Sequence, residues 1–235
     1  PFPWGHRDNW IMWVVKLGGS LARNGQLRPW IQILAGQGEG DGPDPSSGTG
    51  PALAVVPGGG LFADRVREMQ AFLGFDDLTA HRMAVLAMEQ YGLMLAGLCP
   101  ALVPVSSAAA LLRAARRGDI PLWMPSRMVI ERGDIPGLWE VTSDSLAAWL
   151  ASYLKAKCLI LVKSVDPVAD DPQSKEQAAV PLFALQERGI IDRAFAKFAN
   201  GGGYDVRCVG PSGLAGFAEA LKGGVAPGVK VGLTG

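Results

Sequence analysis

Two short apolar runs that end directly on glycine clusters constrain this chain more than any other feature. The first, "WIMWVV" from Trp10 to Val15, ends at Lys16 and the glycines of "KLGGS", and "ALAVVPGGG" runs from Ala52 to Gly60. Each run is rich in β-favouring residues and too short for a helix, so each reads as a buried strand followed by a tight turn. Further strand candidates recur at "ALVPV", "IPLWMP", "CLILVK" and "DVRCVG". Helical patterns separate them: about Leu27 to Ala35, then "LFADRVREMQAFLGF", about Thr79 to Leu98, "SSAAALLRAARRGD" and "TSDSLAAWLASYLKAK". Strands that alternate with helices predict an α/β fold, a mainly parallel sheet covered on both faces. In the helix after the second glycine cluster, Leu61, Phe62, Val66, Met69, Phe72 and Leu73 share one face and are expected to pack.

In an open parallel sheet, ligands collect outside the carboxyl ends of the strands, where both glycine clusters are expected. Glycine accepts positive φ and lets the backbone approach a ligand closely, so successive amides can converge on an anion. Two such nests, separated by one helix and one strand, suit two phosphate groups facing each other, the geometry of phosphoryl transfer. Lys16 ends the first strand. An ammonium there is costly unless it emerges at the ligand edge, where it can neutralise moving phosphoryl oxygens. Lys163 ends the strand "CLILVK", and the same argument applies. No G-x-x-x-x-G-K-[ST] is present, and no G-x-G-x-x-G opens a helix behind a strand, which argues against P-loop NTPases and Rossmann dehydrogenases.

The remaining composition narrows the class. Lys plus Arg and Asp plus Glu each total 22 in 235 residues, so no net charge drives nonspecific nucleic-acid binding. Apolar residues make up 49% of the chain, enough for a large core. Cys99, Cys158 and Cys208 are scattered among apolar neighbours without metal-ligand spacing and read as buried thiols. No apolar run approaches the ~18 residues of a membrane span, and the start lacks a signal-peptide pattern. The expectation is a cytoplasmic protein without membrane or nucleic-acid partners. "GQGEGDGPDPSSGTG", Gly36 to Gly50, reads as a flexible surface loop within one domain spanning residues 1–235.

With these motifs in hand, the chain resembles the amino acid kinase superfamily, which includes acetylglutamate, aspartate, uridylate, carbamate and isopentenyl phosphate kinases. "VVKLGGSL", "VVPGGGLFADRVRE", "VTSDSLAAWLA" and "LILVKSVDPV" carry the resemblance in order over nearly the whole chain. "AMEQYGLML" and "WEVTSDSLAAWLA" resemble most the branch of aminomethyl-furanmethyl phosphate kinases of methanofuran biosynthesis. The resemblance implies a three-layer αβα sandwich, with an acceptor half at about 1–140 and a Mg-ATP half at about 141–235. It implies that Lys16 contacts the transferred phosphoryl group and that Gly18, Gly19 and Ser20 line the ATP phosphates. Gly58, Gly59 and Gly60 would hold the acceptor end, Asp144 would orient the catalytic lysines, and Lys163, Ser164 and Asp166 would lie near the nucleotide. It also implies ATP and Mg²⁺ as cofactors, a small phosphorylated acceptor, and self-association as a homodimer or larger assembly.

Some assignments stay open at this level. Asp144 can equally serve the dipole of the helix it begins, a contribution of about 0.3–1 kcal/mol, with Thr142 or Ser143 as the cap. The family's second lysine matches poorly: Lys197 in "ERGIIDRAFAKF" and Lys163 compete for the place. Pro167 stands where relatives commonly carry Gly. Among the arginines Arg65, Arg67, Arg82, Arg113 and Arg127, Arg65 is the preferred acceptor contact. His6 and His81 read as structural or exposed, with His81 also able to face the acceptor, and the seven Trp read as packing residues. The expected function is an ATP-dependent kinase for a furanmethyl phosphate. A carboxylate, carbamate or nucleotide kinase, or a non-catalytic nucleotide or oxyanion binder, is the alternative.

Overall fold

The computed structural model describes residues 11–36, 50–168, 179–223 and 225–233. Residues 37–49 of the expected loop, and His6, lie outside them. The elements follow as β1 (Met12–Leu17), α1 (Leu27–Leu34), β2 (Ala52–Pro57), α2 (Gly60–Leu73), α3 (Asp77–Leu98), β3 (Leu102–Val105), α4 (Ala108–Arg116), β4 (Ile120–Trp123) and α5 (Ser126–Val129). They continue as α6 (Ser143–Leu154), β5 (Cys158–Val162), β6 (Val180–Pro181), α7 (Leu182–Glu187), α8 (Phe195–Ala199), β7 (Asp205–Val209), α9 (Leu214–Leu221) and β8 (Val229–Gly232).

The strands form one sheet in the order β3-β4-β2-β1-β5-β7-β8-β6, parallel throughout except for the β7–β8 pair. Helices cover both faces, giving the three-layer α/β sandwich. β1 and β5 pair at the middle of the sheet, with Lys16 opposite Leu161 and Leu17 opposite Val162. β1, β2 and β5 are buried along their whole length, as strands covered on both faces must be. The period of two divides their side chains. Met12, Val14, Ala54, Val56, Leu159 and Leu161 pack beneath α6 and α4, whereas Trp13, Val15, Leu17, Val55 and Ile160 pack against α1 and α9.

One reading of a helix face is corrected. On α2 only Val66 is buried; Leu61, Phe62, Met69, Phe72 and Leu73 are exposed, Phe72 by 82%. Periodicity reports which residues share a face, not whether a partner layer covers it. α3 splits in the same way, with Tyr91 and Leu95 in the core and Met83 and Leu86 at the surface. The antiparallel strand β8 went unpredicted because "VKVG" is too short to stand out. All three cysteines are buried thiols. Among the described residues, no helix is long and apolar enough to cross a membrane.

Candidate active site

The two glycine loops meet at the carboxyl end of the sheet, and they touch. A methyl group on Gly19 would lie 2.2 Å from the Gly60 nitrogen, and one on Gly58 would lie 2.4 Å from the Gly19 nitrogen. Gly60 adopts φ +53° with the Tyr91 ring behind it. Close backbone approach therefore accounts for these glycines before any ligand is considered. The amides divide into two sets. Gly18 donates to the Val162 carbonyl at 3.0 Å and Gly58 to the Leu17 carbonyl at 2.9 Å, so both are consumed in extending the sheet. Gly19 and Ser20 open a 3₁₀ turn and Gly60 opens α2, positions whose amides have no partner within their own helix. Gly19→Ala is expected to push the loops apart and destabilise the fold by about 1–3 kcal/mol, with turnover falling at least tenfold. Denaturant melts and initial rates check it.

β-strand alternation aims both lysines at α6. Lys16 shares a face with Met12 and Val14, and Lys163, directly after β5, follows Leu159 and Leu161 on that face. Asp144 meets them from the first turn of α6, where the Thr142 side chain caps the Asp144 amide at 3.3 Å. Lys163 Nζ donates to Asp144 Oδ2 at 2.6 Å. Lys16 Nζ lies 2.8 Å from Oδ1 as an ion pair, and Oδ1 accepts no directed hydrogen bond. Side-chain exposures of 6% for Lys16 and Asp144 and 10% for Lys163 make this a buried network. Burial alone would push the Asp144 carboxyl up, but the two ammonium charges outweigh it and hold the group at about 2. Burial, reinforced by the Lys163 charge, pushes the Lys16 ammonium below its ordinary value against the pull of Asp144.

Two clefts converge on this network and share Gly19, Ser20 and Thr142. The larger, about 700 Å³, is lined by Lys16, Gly18, Asp144, Lys163, Ser164 and the segment 186–193. The Ser164 and Ser20 hydroxyls lie 2.9 Å apart across its mouth. Asp166 does not face this cleft; its Oδ1 accepts from the Ser212 amide at 3.1 Å and hydroxyl at 2.8 Å. Arg188 donates to the Asp166 and Pro167 carbonyls, which braces the loop at the position where Pro replaces the expected Gly. Lys197 is exposed and lines neither cleft, so Lys163 is the second lysine at Asp144.

The smaller cleft, about 370 Å³, is bounded by Gly59, Gly60, Arg23, Asp64 and Arg67 on one side and by Val85, Met88, Val141 and Leu146 on the other. Arg65 is corrected: it points away, 76% exposed and paired with Glu68, whereas Arg67 faces the cleft with its guanidinium 4.6 Å from the Trp139 ring centroid. In a helix, neighbours two apart point in different directions, and only the tertiary packing of α2 decides which faces inward. Gly58, Arg82, Arg113 and Arg127 line neither cleft. Trp139 packs against Val66, Ala80 and Ala87 as expected and also forms a wall of the cleft. His81 is buried against this cleft, and burial holds its imidazole below the usual range. Sequence reasoning passed over Arg23, Trp139 and Asp192. Asp192 stood in the quoted segment "ERGIIDRAFAKF" beside the lysine that drew attention.

The amino acid kinase family model matches residues 12–202, most of the chain. The chain belongs to the amino acid kinase family. It is therefore a phosphotransferase. It is 24% identical over 159 residues to the (5-(aminomethyl)furan-3-yl)methyl phosphate kinase of Methanocaldococcus jannaschii, covering 68% of each chain. It is 32% identical over 98 residues to the uridylate kinase of Thermococcus kodakarensis, covering 35% of this chain and 44% of that one. The uridylate kinase structure from Archaeoglobus fulgidus superposes with a TM-score of 0.64 at 20% identity, over 94% of this chain and 99% of that one. The UMP kinase structure from Bacillus anthracis gives 0.63 at 14% identity, over 96% and 97%. These structures establish the shared fold.

Proposed function

We propose that this kinase transfers the γ-phosphoryl group of ATP to a small phosphate monoester, an aminomethyl-furanmethyl phosphate, giving the diphosphate for methanofuran-type cofactor assembly. The observation that carries this reading is the pairing of Lys16 and Lys163 on one buried carboxylate where the two clefts meet. In the proposal the larger cleft takes ATP, with its phosphates toward the Gly19 and Ser20 amides, and the smaller takes the acceptor. The chain then works as one domain, with an acceptor half before about residue 140 and a nucleotide half after it. Phosphoryl transfer needs position and charge stabilisation and no covalent nucleophile. Asp144 holds the two ammonium groups apart from each other and directed at the transfer point. The small cleft suits the acceptor: Arg23 and Arg67, which now pair with Asp64, would turn guanidinium groups to a phosphate, and the apolar wall with Trp139 suits a flat ring.

Among the described residues, no three carboxylate, imidazole or thiol groups gather as a metal cage. Asp144 is already committed to the lysines. These residues fit a magnesium ion that arrives on the nucleotide, keeping most of its waters. When bound, such an ion neutralises phosphate charge.

The test is mass spectrometry of products after incubation with Mg-ATP and the furan phosphate, with UMP and small carboxylates as competing acceptors. A diphosphate from the furan compound supports the assignment. Turnover of another acceptor alone refutes the substrate, and ATP binding without any product favours a non-catalytic binder. Arg67→Ala is expected to raise the acceptor KM about 10–100-fold, the loss of one charge-assisted contact, while Arg65→Ala leaves it within about twofold. Equal effects in the two variants would discard the placement. The exposed apolar residues of α2 and α3 are proposed to pair two copies of the chain. Phe72→Asp should then shift the protein toward monomer in sedimentation velocity.

A further inference from the structure

Asp192 has the densest set of hydrogen bonds of any side chain bordering the larger cleft, and the transfer chemistry as described leaves it without a role. Its Oδ2 accepts from the Thr142 amide at 3.2 Å, the Thr142 hydroxyl at 2.7 Å and the Ser145 amide at 3.0 Å. Its Oδ1 accepts from the Ser145 hydroxyl at 2.6 Å. All four donors belong to the residues that flank Asp144 at the start of α6, while Asp192 itself comes from the segment between α7 and α8. The start of a helix presents unpaired amides and a positive dipole end, which an anionic substrate group would otherwise occupy. Here an internal carboxylate fills that place.

We infer that Asp192 is a positioning residue: it bolts the first turn of α6 to the wall of the nucleotide cleft and thereby sets where Asp144 holds Lys16 and Lys163. The geometry leaves little slack. Asp144 is the second residue of α6, between the two residues that Asp192 grips, so a shift of that turn moves the carboxylate between the lysines. A displacement of about 1 Å at such a centre can cost on the order of a hundredfold in rate. The charge acts in the same direction. Lys16 faces Asp144 on α6, Lys163 after β5 and Asp192 across the cleft, while Cys208 on β7 borders the network as a neutral thiol pushed up to about 12 by burial. The two carboxylates pull the Lys16 ammonium upward, against burial and the Lys163 charge, which hold it below its ordinary value. Loss of Asp192 removes one carboxylate directly and loosens the other.

The role rests on Lys16 acting in phosphoryl transfer, so the test includes a readout that needs no turnover. In Asp192→Asn, kcat is expected to fall about 10–100-fold with the acceptor KM little changed. The Lys16 pKa, followed by NMR of ¹³Cε-labelled lysine and assigned with Lys16→Arg, should move down from its wild-type value. The alkaline limb of the kcat profile should move with it. Ser145→Ala, which removes one bond to Asp192 but no charge, should lower Tm and leave the Lys16 titration nearly in place. A lowered Tm in Asp192→Asn with an unmoved Lys16 titration would make Asp192 a plain helix cap and overturn the inference. An unchanged kcat in the folded variant does the same. Should Asp192→Asn fail to fold, the wild-type protein decides: the Lys16 ¹³Cε signal must respond in the pH range where the Asp192 ¹³Cγ signal titrates, and no response overturns the role. If wild-type protein turns over no acceptor while the Lys16 pKa still depends on Asp192, the kinase substrate reading fails and the positioning of the lysines stands.

Discussion

Asp144→Asn is expected to cost this protein both its activity and a large part of its stability. The substitution leaves two ammonium groups buried side by side without the carboxylate that now lies 2.8 and 2.6 Å from them. Removing one partner of a buried ion network typically costs about 3–5 kcal/mol, because the remaining charge cannot regain its hydration. Turnover should fall by about a hundredfold or more, since neither lysine keeps its direction toward the transfer point. The pH dependence gives a second handle. Asp144 is depressed from 3.8 to about 2, worth roughly 2 kcal/mol. A carboxyl lowered on folding contributes fully above its unfolded value and loses that contribution as pH falls through the folded value. The stability gap between wild type and variant should thus be widest near neutrality and close between about pH 4 and pH 2. Urea melts across that range measure it; coincident curves at pH 7 would remove the network from the stability of the fold.

Lys16→Ala is the second large effect, and it has the opposite character. Turnover is expected to fall by two to three decades, the loss of one preorganised charge at the transferred group. The fold should survive. Asp144 keeps Lys163, and burial already holds the Lys16 ammonium below its ordinary value, so folding gives up little when that charge is removed. Initial rates with saturating ATP, beside a thermal melt, separate the two quantities. Unchanged turnover would remove Lys16 from the mechanism; a collapsed melt would make it structural.

Much of this architecture was legible before any coordinates. Ala52–Pro57 reads as a strand residue for residue, because a six-residue apolar run closed by Pro and glycines has few other solutions. Lys16 and Lys163 stood out for a related reason: a charge closing a buried strand must find a partner or a ligand. The α2 face did not read correctly, since its apolar stripe looks the same whether a core or a second subunit covers it. Arg65 and Arg67 differ by two positions on one helix, and nothing local distinguishes the one that faces Trp139 from the one that meets Glu68.

The sequence by itself determined the strand–glycine–helix order, the parallel sheet and the positions of the two strand-ending lysines, because these follow from short-range periodicity and backbone sterics. Tertiary structure alone decided that β1 lies beside β5 with Lys16 opposite Leu161, which brings lysines 147 residues apart onto one carboxylate. It also decided that the glycine loops touch, and that Asp192 grips the helix carrying Asp144. Those contacts depend on strand register and on how helices dock over the sheet. Register is set by the summed burial of many side chains, and no local stretch of sequence contains that sum.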